Sequence, residues 1–179
     1  MRLVYIAGPY RGRSDTEVRN NIARAKEVAV ELIRKWHTPF NGHEKSLRQR
    51  LPGGDPFPVT PHLNTANFDF VPSIAELAGA DYYLAGTMKQ LQGCSAVILT
   101  RHDAGFVSTG TRDEIYEANR MGIPVFDSVD AYLYYRENAA YHRQIDDMCE
   151  NLSRDPHGAR IGRTFHIFGE PHDKSQPSL

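Results

Sequence analysis

Cysteine is scarce in this chain of 179 residues: there are two, Cys94 and Cys149, at no metal-like spacing. That excludes a disulfide scaffold and a zinc knuckle, and leaves two reduced thiols, one in an apolar run and one on a helix. Excess charge is missing too. Lys and Arg number 21 against 22 Asp and Glu, a formal net charge of −1, so no global field draws the chain to nucleic acid. No apolar run reaches membrane-spanning length, and there is no internal repeat or low-complexity segment. The apolar opening Leu3–Ala7 is too short for a secretory signal, so a cytoplasmic address is expected. The eight histidines are too scattered for a metal site; neither metal nor cofactor is expected.

What remains is ordinary globular usage, 40% hydrophobic and 24% charged, which suits a single domain over 1–169 with a loose tail at 170–179. Leu3–Ala7 reads as a buried strand stopped by Gly8-Pro9. Ser14 and Glu17 have capping-box spacing, so a helix begins there, and its apolar stripe runs to about Lys35. Residues 36–56 read as a long loop, with a lid as its expected role. A second strand is expected at Phe57–Thr60, helix over 73–92, the clearest buried strand at Ala96–Leu99 and a helix over 109–121 with Ile115, Ala118 and Met121 inward. Gly122 ends that helix before a strand at Ile123–Phe126; a long Tyr-rich helix follows over 129–152, and a last, fifth strand is expected at Thr164–Phe168. Alternating strands and helices predict a mainly parallel sheet with helices on both faces, whose ligands bind beyond the carboxyl ends of the strands.

Three segments leave predicted strands at that edge: Gly8-Pro9-Tyr10-Arg11-Gly12, Pro61-His62-Leu63-Asn64-Thr65, and the stretch from Arg101 to Glu114. In the third, Ser108-Thr109-Gly110-Thr111 opens a helix with hydroxyls and free N–H groups, which suits an anion. Glu114 follows near the positive end of the helix dipole, a position that favours its ionised form. A carboxylate there suits attack on an anomeric carbon, although Ser, Thr and Glu are also what any helix start prefers. Tyr10 suits stacking on a base, Arg11 pairing with an anion, and the glycines close approach of a ligand to the backbone. Tyr5 reads as a core tyrosine or as one that points its hydroxyl at Glu114. His62 reads as a general acid or as a structural histidine. Arg101, Arg112 and Arg120 read as solvated charges.

Val4-Tyr5-Ile6-Ala7-Gly8-Pro9-Tyr10-Arg11-Gly12, together with Ser108-Thr109-Gly110-Thr111-Arg112-Asp113-Glu114 and Gly122-Ile123-Pro124-Val125, resembles the nucleoside 2-deoxyribosyltransferase superfamily, including its N-glycosidases of nucleoside 5'-monophosphates. The resemblance spans about residues 3 to 126. It implies a doubly wound, Rossmann- or flavodoxin-like fold. It also implies cleavage or transfer of an N-glycosidic bond through a covalent glycosyl-Glu intermediate. Glu114 matches the family's nucleophile, Tyr5 the tyrosine that holds it, and Gly8, Pro9, Tyr10 and Arg11 the segment around base and sugar. Pro61–Thr65, with His62, looks like the family's segment after its second strand. Ser108 stands where nucleotide-specific members accept a 5'-phosphate and nucleoside-specific ones carry Asp, with Gly110 in the same turn. Thr87 and Ser95 stand where the family usually carries Asp, which leaves His62, Asp81 or the 36–56 segment as the expected acid. The expected partner is a small-molecule nucleotide or nucleoside. A homodimer or higher oligomer is expected through the Tyr-rich helix, with no nucleic acid and no membrane. A nucleotide-binding or sensing protein using the same crevice is the alternative.

Overall fold

The structure is a computed structural model that describes residues 1–39, 42–51, 53–61 and 79–139. These all fall in one compact unit, Met1–His142; a second unit, Arg143–Leu179, lies outside the described residues. In chain order the elements are β1 (Arg2–Ala7), α1 (Asp15–His37), α2 (Leu47–Arg50), β2 (Pro56–Val59), α3 (Ala80–Gln92), β3 (Ala96–Leu99), α4 (Ala104–Val107), α5 (Thr109–Arg120) and β4 (Val125–Phe126). A further helix, α6, covers 129–139.

The four strands form one parallel sheet in the order β2-β1-β3-β4. Five were expected. The fifth, at Thr164–Phe168, lies outside the described residues, as do the tail and residues 140–152 of the Tyr-rich helix.

Strand alternation divides the core in two. Val4, Ile6, Ala96 and Ile98 face Ala25, Leu32 and Trp36 of α1, Leu47 of α2, and Val129, Tyr132 and Leu133 of α6. Tyr5, Ala7, Val97 and Leu99 face Leu91 and Cys94 at the end of α3, Ala104 of α4, and Ile115 and Ala118 of α5. Helices therefore cover both faces of the sheet. In the second cluster burial pushes the Cys94 thiol up to about 11, and its S–H donates to Gln90 O at 3.2 Å, so it stays an unreactive neutral group.

Local signals set the helix ends. Ser14 caps α1 by accepting from Glu17 N at 3.3 Å. The reciprocal half of the expected box is shifted by one residue, because the Glu17 carboxylate accepts from Arg13 N at 2.6 Å rather than from the cap. Gly122, at φ +70°, ends the turn that follows α5, a conformation glycine adopts without steric cost.

Segment 36–56 is not the open lid its length suggested. It carries the end of α1 and all of α2, and Trp36 and Leu47 are buried in the first core cluster. It also runs from the carboxyl end of α1 to the start of β2, which places it at the amino edge of the sheet. Arg136 clamps α6 to that edge: it is 4% exposed, donates to Tyr132 Oη at 2.8 Å and lies 4.9 Å above the Trp36 ring. Trp36 Nε1 donates in turn to Asp55 Oδ1 at 3.0 Å.

Candidate functional site

β1 and β3 are neighbours, and the chain leaves β1 toward β2 on one side and β3 toward β4 on the other, the arrangement in which parallel sheets bind ligands beyond the carboxyl ends of the two strands. The backbone joins there: Thr100 N donates to Ala7 O at 2.8 Å. Gly8 is required at this point, since a Cβ on it would lie 2.0 Å from Thr100 Oγ1 and 2.7 Å from Thr100 Cγ2. The segments after β1 and β3 thus meet as expected. Of the third, only Pro61 is described, and it is buried; His62 and Leu63–Thr65 lie outside the described residues.

Tyr5 is fully buried, yet its hydroxyl crosses to α5 and donates to Glu114 Oε1 at 2.7 Å. Both readings of Tyr5 hold together: its ring packs in the core, and its Oη is a fixed donor beneath the carboxyl. Glu114 is half-buried, and its pKa is pushed up to about 7. Burial is the leading cause, the Tyr5 hydrogen bond opposes it and the nearby Asp113 charge adds to it. This corrects the expectation that the helix dipole keeps Glu114 ionised. The carboxyl lies beyond the first turn of α5, where the dipole has faded and desolvation decides.

The start of α5 follows its sequence signature. Ser108 caps it, its Oγ accepting from Thr111 N at 3.2 Å. The N–H groups of Thr109 and Gly110, in the first turn, have no carbonyl partner within the helix. Thr111 is 1% exposed, and its Oγ1 makes no hydrogen bond among the described residues. Among the described residues nothing crowds Gly110: a Cβ there would meet only Ser108 Oγ, at 4.0 Å.

Pro9 is buried, Tyr10 half-buried and Arg11 exposed on the loop after β1. Asn21 of α1, which carries no sequence motif, holds that loop: its Nδ2 donates to Tyr10 O at 3.3 Å and Arg11 O at 3.2 Å. The available signal was an amide-bearing residue, a poor helix former, one turn after Glu17 in an otherwise regular helix.

Thr87 is buried on α3, one turn nearer the carboxyl edge than Leu91, but its hydroxyl donates back to Leu84 O at 2.9 Å. Ser95 lies at the opposite, amino edge, where its Oγ donates to Leu3 O at 3.0 Å. Asp81 is exposed at the start of α3. Arg101 pairs with Asp103, Arg120 pairs with Glu117, and Arg112 is exposed, so all three are surface charges. Among the described residues no three His, Cys, Asp or Glu side chains could hold a metal ion, and no helix is long and apolar enough to cross a membrane. A shallow groove on the outer face of α1, lined by Lys26, Glu27, Val30, Glu31 and Arg34, carries ordinary surface charges and no comparable constellation.

No family model, curated protein or solved structure matches this chain.

Proposed function

We propose that the chain breaks or exchanges the N-glycosidic bond of a nucleoside 5'-monophosphate, with Glu114 as nucleophile. The observation that carries this reading is the Tyr5–Glu114 pair, 2.7 Å apart at the carboxyl edge. Taken as doubly wound, the order β2-β1-β3-β4 has its switch point between β1 and β3, where such sheets bind ligands. Glu114 and the loop after β1 both lie at that edge.

Tyr5 holds Oε1 and leaves Oε2 to attack. The C1'–N bond breaks as a C1'–Oε2 bond forms, and the base departs with the electron pair and takes up a proton. Water, or the nitrogen of a second base, then attacks C1', gives up its proton to solvent and releases the carboxylate. The Ser108 hydroxyl and the N–H groups of Thr109 and Gly110 suit a 5'-phosphate, since a hydroxyl and amides attract a dianion that a carboxylate would repel. Gly110 suits this role: without a side chain it lets a ligand approach the leading N–H groups closely, and no packing among the described residues requires it. The resemblance to nucleoside 2-deoxyribosyltransferases points the same way.

The test is incubation with each common ribo- and deoxyribonucleoside 5'-monophosphate, with and without a second free base, followed by chromatography for released base. Release that disappears in Glu114→Ala while nucleotide binding persists supports the proposal. Full turnover in that variant refutes it. One observation favours a second reading, a nucleotide-binding protein that does not cut: the Thr87 hydroxyl is closed onto Leu84 O, so it offers no acidic proton to a departing base. Binding without any product over long incubation would establish that reading.

A further inference from the structure

The loop between β1 and α1 is held from behind by the first turns of α1. Gly12 lies so close to the helix that a Cβ on it would fall 2.4 Å from Glu17 Cβ. Glu17 accepts from Arg13 N at 2.6 Å, and Asn21, four residues further along the same face, donates to Tyr10 O at 3.3 Å and Arg11 O at 3.2 Å.

Those two bonds fix two peptide planes. There is no cis peptide among the described residues. In a planar trans peptide the carbonyl of one residue and the N–H of the next point in opposite directions. With the carbonyls of Tyr10 and Arg11 turned toward α1, the N–H groups of Arg11 and Gly12 are turned away from it. α1 covers the Val4/Ile6 face of the sheet, whereas Glu114 belongs to a helix on the Tyr5/Val97 face. The side of the sheet away from α1 is the side that carries Glu114. No hydrogen bond among the described residues uses either N–H, and both residues are exposed.

We propose that Asn21 is a positioning residue for ligand binding: it orients the N–H groups of Arg11 and Gly12 as a pair of donors that receive an acceptor atom of the nucleobase. The inference rests on the nucleotide reading above. With the phosphate at the start of α5 and the anomeric carbon at Glu114, the base extends toward the loop after β1. Backbone donors suit it there, because their direction is set by the peptide planes and not by a mobile side chain.

The experiment compares wild type with Asn21→Ala and with Asn21→Asp, which keeps the shape and removes the donors. KM and kcat are measured with the nucleoside 5'-monophosphate that wild type cleaves, or Kd where one is bound without turnover. The ¹H–¹⁵N resonances of Arg11 and Gly12 are followed as that nucleotide is added. The expected result is a rise of about tenfold in KM or Kd in both variants. kcat should stay within about threefold, since a ground-state contact does not alter the chemical step. The wild-type Arg11 and Gly12 resonances should shift on binding. A purely structural role would instead lower the melting temperature and the active fraction and leave KM alone. Unchanged KM in well-folded variants, or wild-type Arg11 and Gly12 resonances that ignore a bound nucleotide, overturns the role of Asn21 and leaves the glycosidase reading intact. The second readout holds even where the variants fail to fold. If wild type neither cleaves nor binds any of the nucleotides, the nucleotide reading falls and takes this inference with it.

Discussion

Replacing Glu114 with Gln should stabilise the protein at alkaline pH and leave it nearly unchanged in mild acid. The carboxyl has an ordinary value of 4.5 and is pushed up to about 7 in the folded chain, chiefly by burial. The unfolded chain therefore loses this proton first as pH rises. Below pH 4.5 the group is neutral in both states and contributes no penalty. Between 4.5 and about 7 the penalty grows, and above about 7 it is fully present. The difference between the two values corresponds to about 3 kcal/mol. Residual solvent contact at a half-buried residue reduces this to about 2 kcal/mol as a working figure. Gln keeps the shape and the carbonyl oxygen that accepts from Tyr5, and it cannot ionise. For a domain of this size each kcal/mol moves the melting temperature by about 2–4 °C. Thermal unfolding followed by circular dichroism from pH 5 to pH 8.5 should thus give nearly coincident melting points at pH 5, with Glu114→Gln higher by about 4–8 °C at pH 8. Curves that stay parallel across the whole range, or a variant less stable at pH 8, would show that Glu114 is not held in a desolvated site, and the reasoning about its pKa would fail.

Tyr5→Phe removes the hydrogen bond that partly offsets burial, so the Glu114 pKa should rise further and the ascending limb of the pH–rate profile should move up by about one pH unit; an unmoved limb would mean that Tyr5 does not tune the nucleophile. Gly8→Ala puts a methyl 2.0 Å from Thr100 Oγ1, and the forced separation of the two strand ends should cost about 1–3 kcal/mol. Adding Thr100→Ala removes two of the three closest atoms and should restore part of that loss in denaturant unfolding, whereas no restoration would place the cost elsewhere.

Much of the fold was legible in the sequence because the elements are set locally. β3 has the four consecutive buried residues that a short apolar run predicts, and Ser14, Ser108 and Gly122 mark helix boundaries by their own hydrogen bonds or backbone geometry. The features missed are tertiary in origin. α2 is a single turn in a polar segment: the capping-box spacing of Ser46 and Gln49 was its one local signal, and the burial of Leu47 anchors it to the core. Arg136 reads as a surface charge on a Tyr-rich helix until Trp36, Tyr132 and the Gly54 carbonyl surround it. On the same helix Tyr132 belongs to the core, whereas Tyr134 is exposed and Tyr135 packs 5.2 Å from Phe126 while keeping an exposed face. At the site the sequence indicated the residues but not their electrostatics. Helix position favours an ionised Glu114, and burial instead raises its pKa.

Among the described residues, the polar groups at the amino edge of the sheet are closely cross-linked. At the amino edge Arg2 N reaches Asp55 O, Arg2 Nε reaches Gly53 O, Ser95 reaches Leu3 O, Trp36 reaches Asp55 and Arg136 reaches Tyr132. At the carboxyl edge there is a carboxyl with its pKa near 7, a buried Thr111 hydroxyl with no hydrogen bond among the described residues, and the leading N–H groups of α5. Domains of ordinary stability have about 5–15 kcal/mol in all, so an ionised Glu114 consumes an appreciable share, and the cross-linked amino edge and two core clusters must supply the difference. Groups of this kind are those a bound ligand can satisfy. A nucleotide at a hundred times its Kd would return about 2.7 kcal/mol to the folded state. That is of the same order as the penalty carried by Glu114, so the empty site should be the less stable form at neutral pH and ligand binding should be visible as a rise in melting temperature.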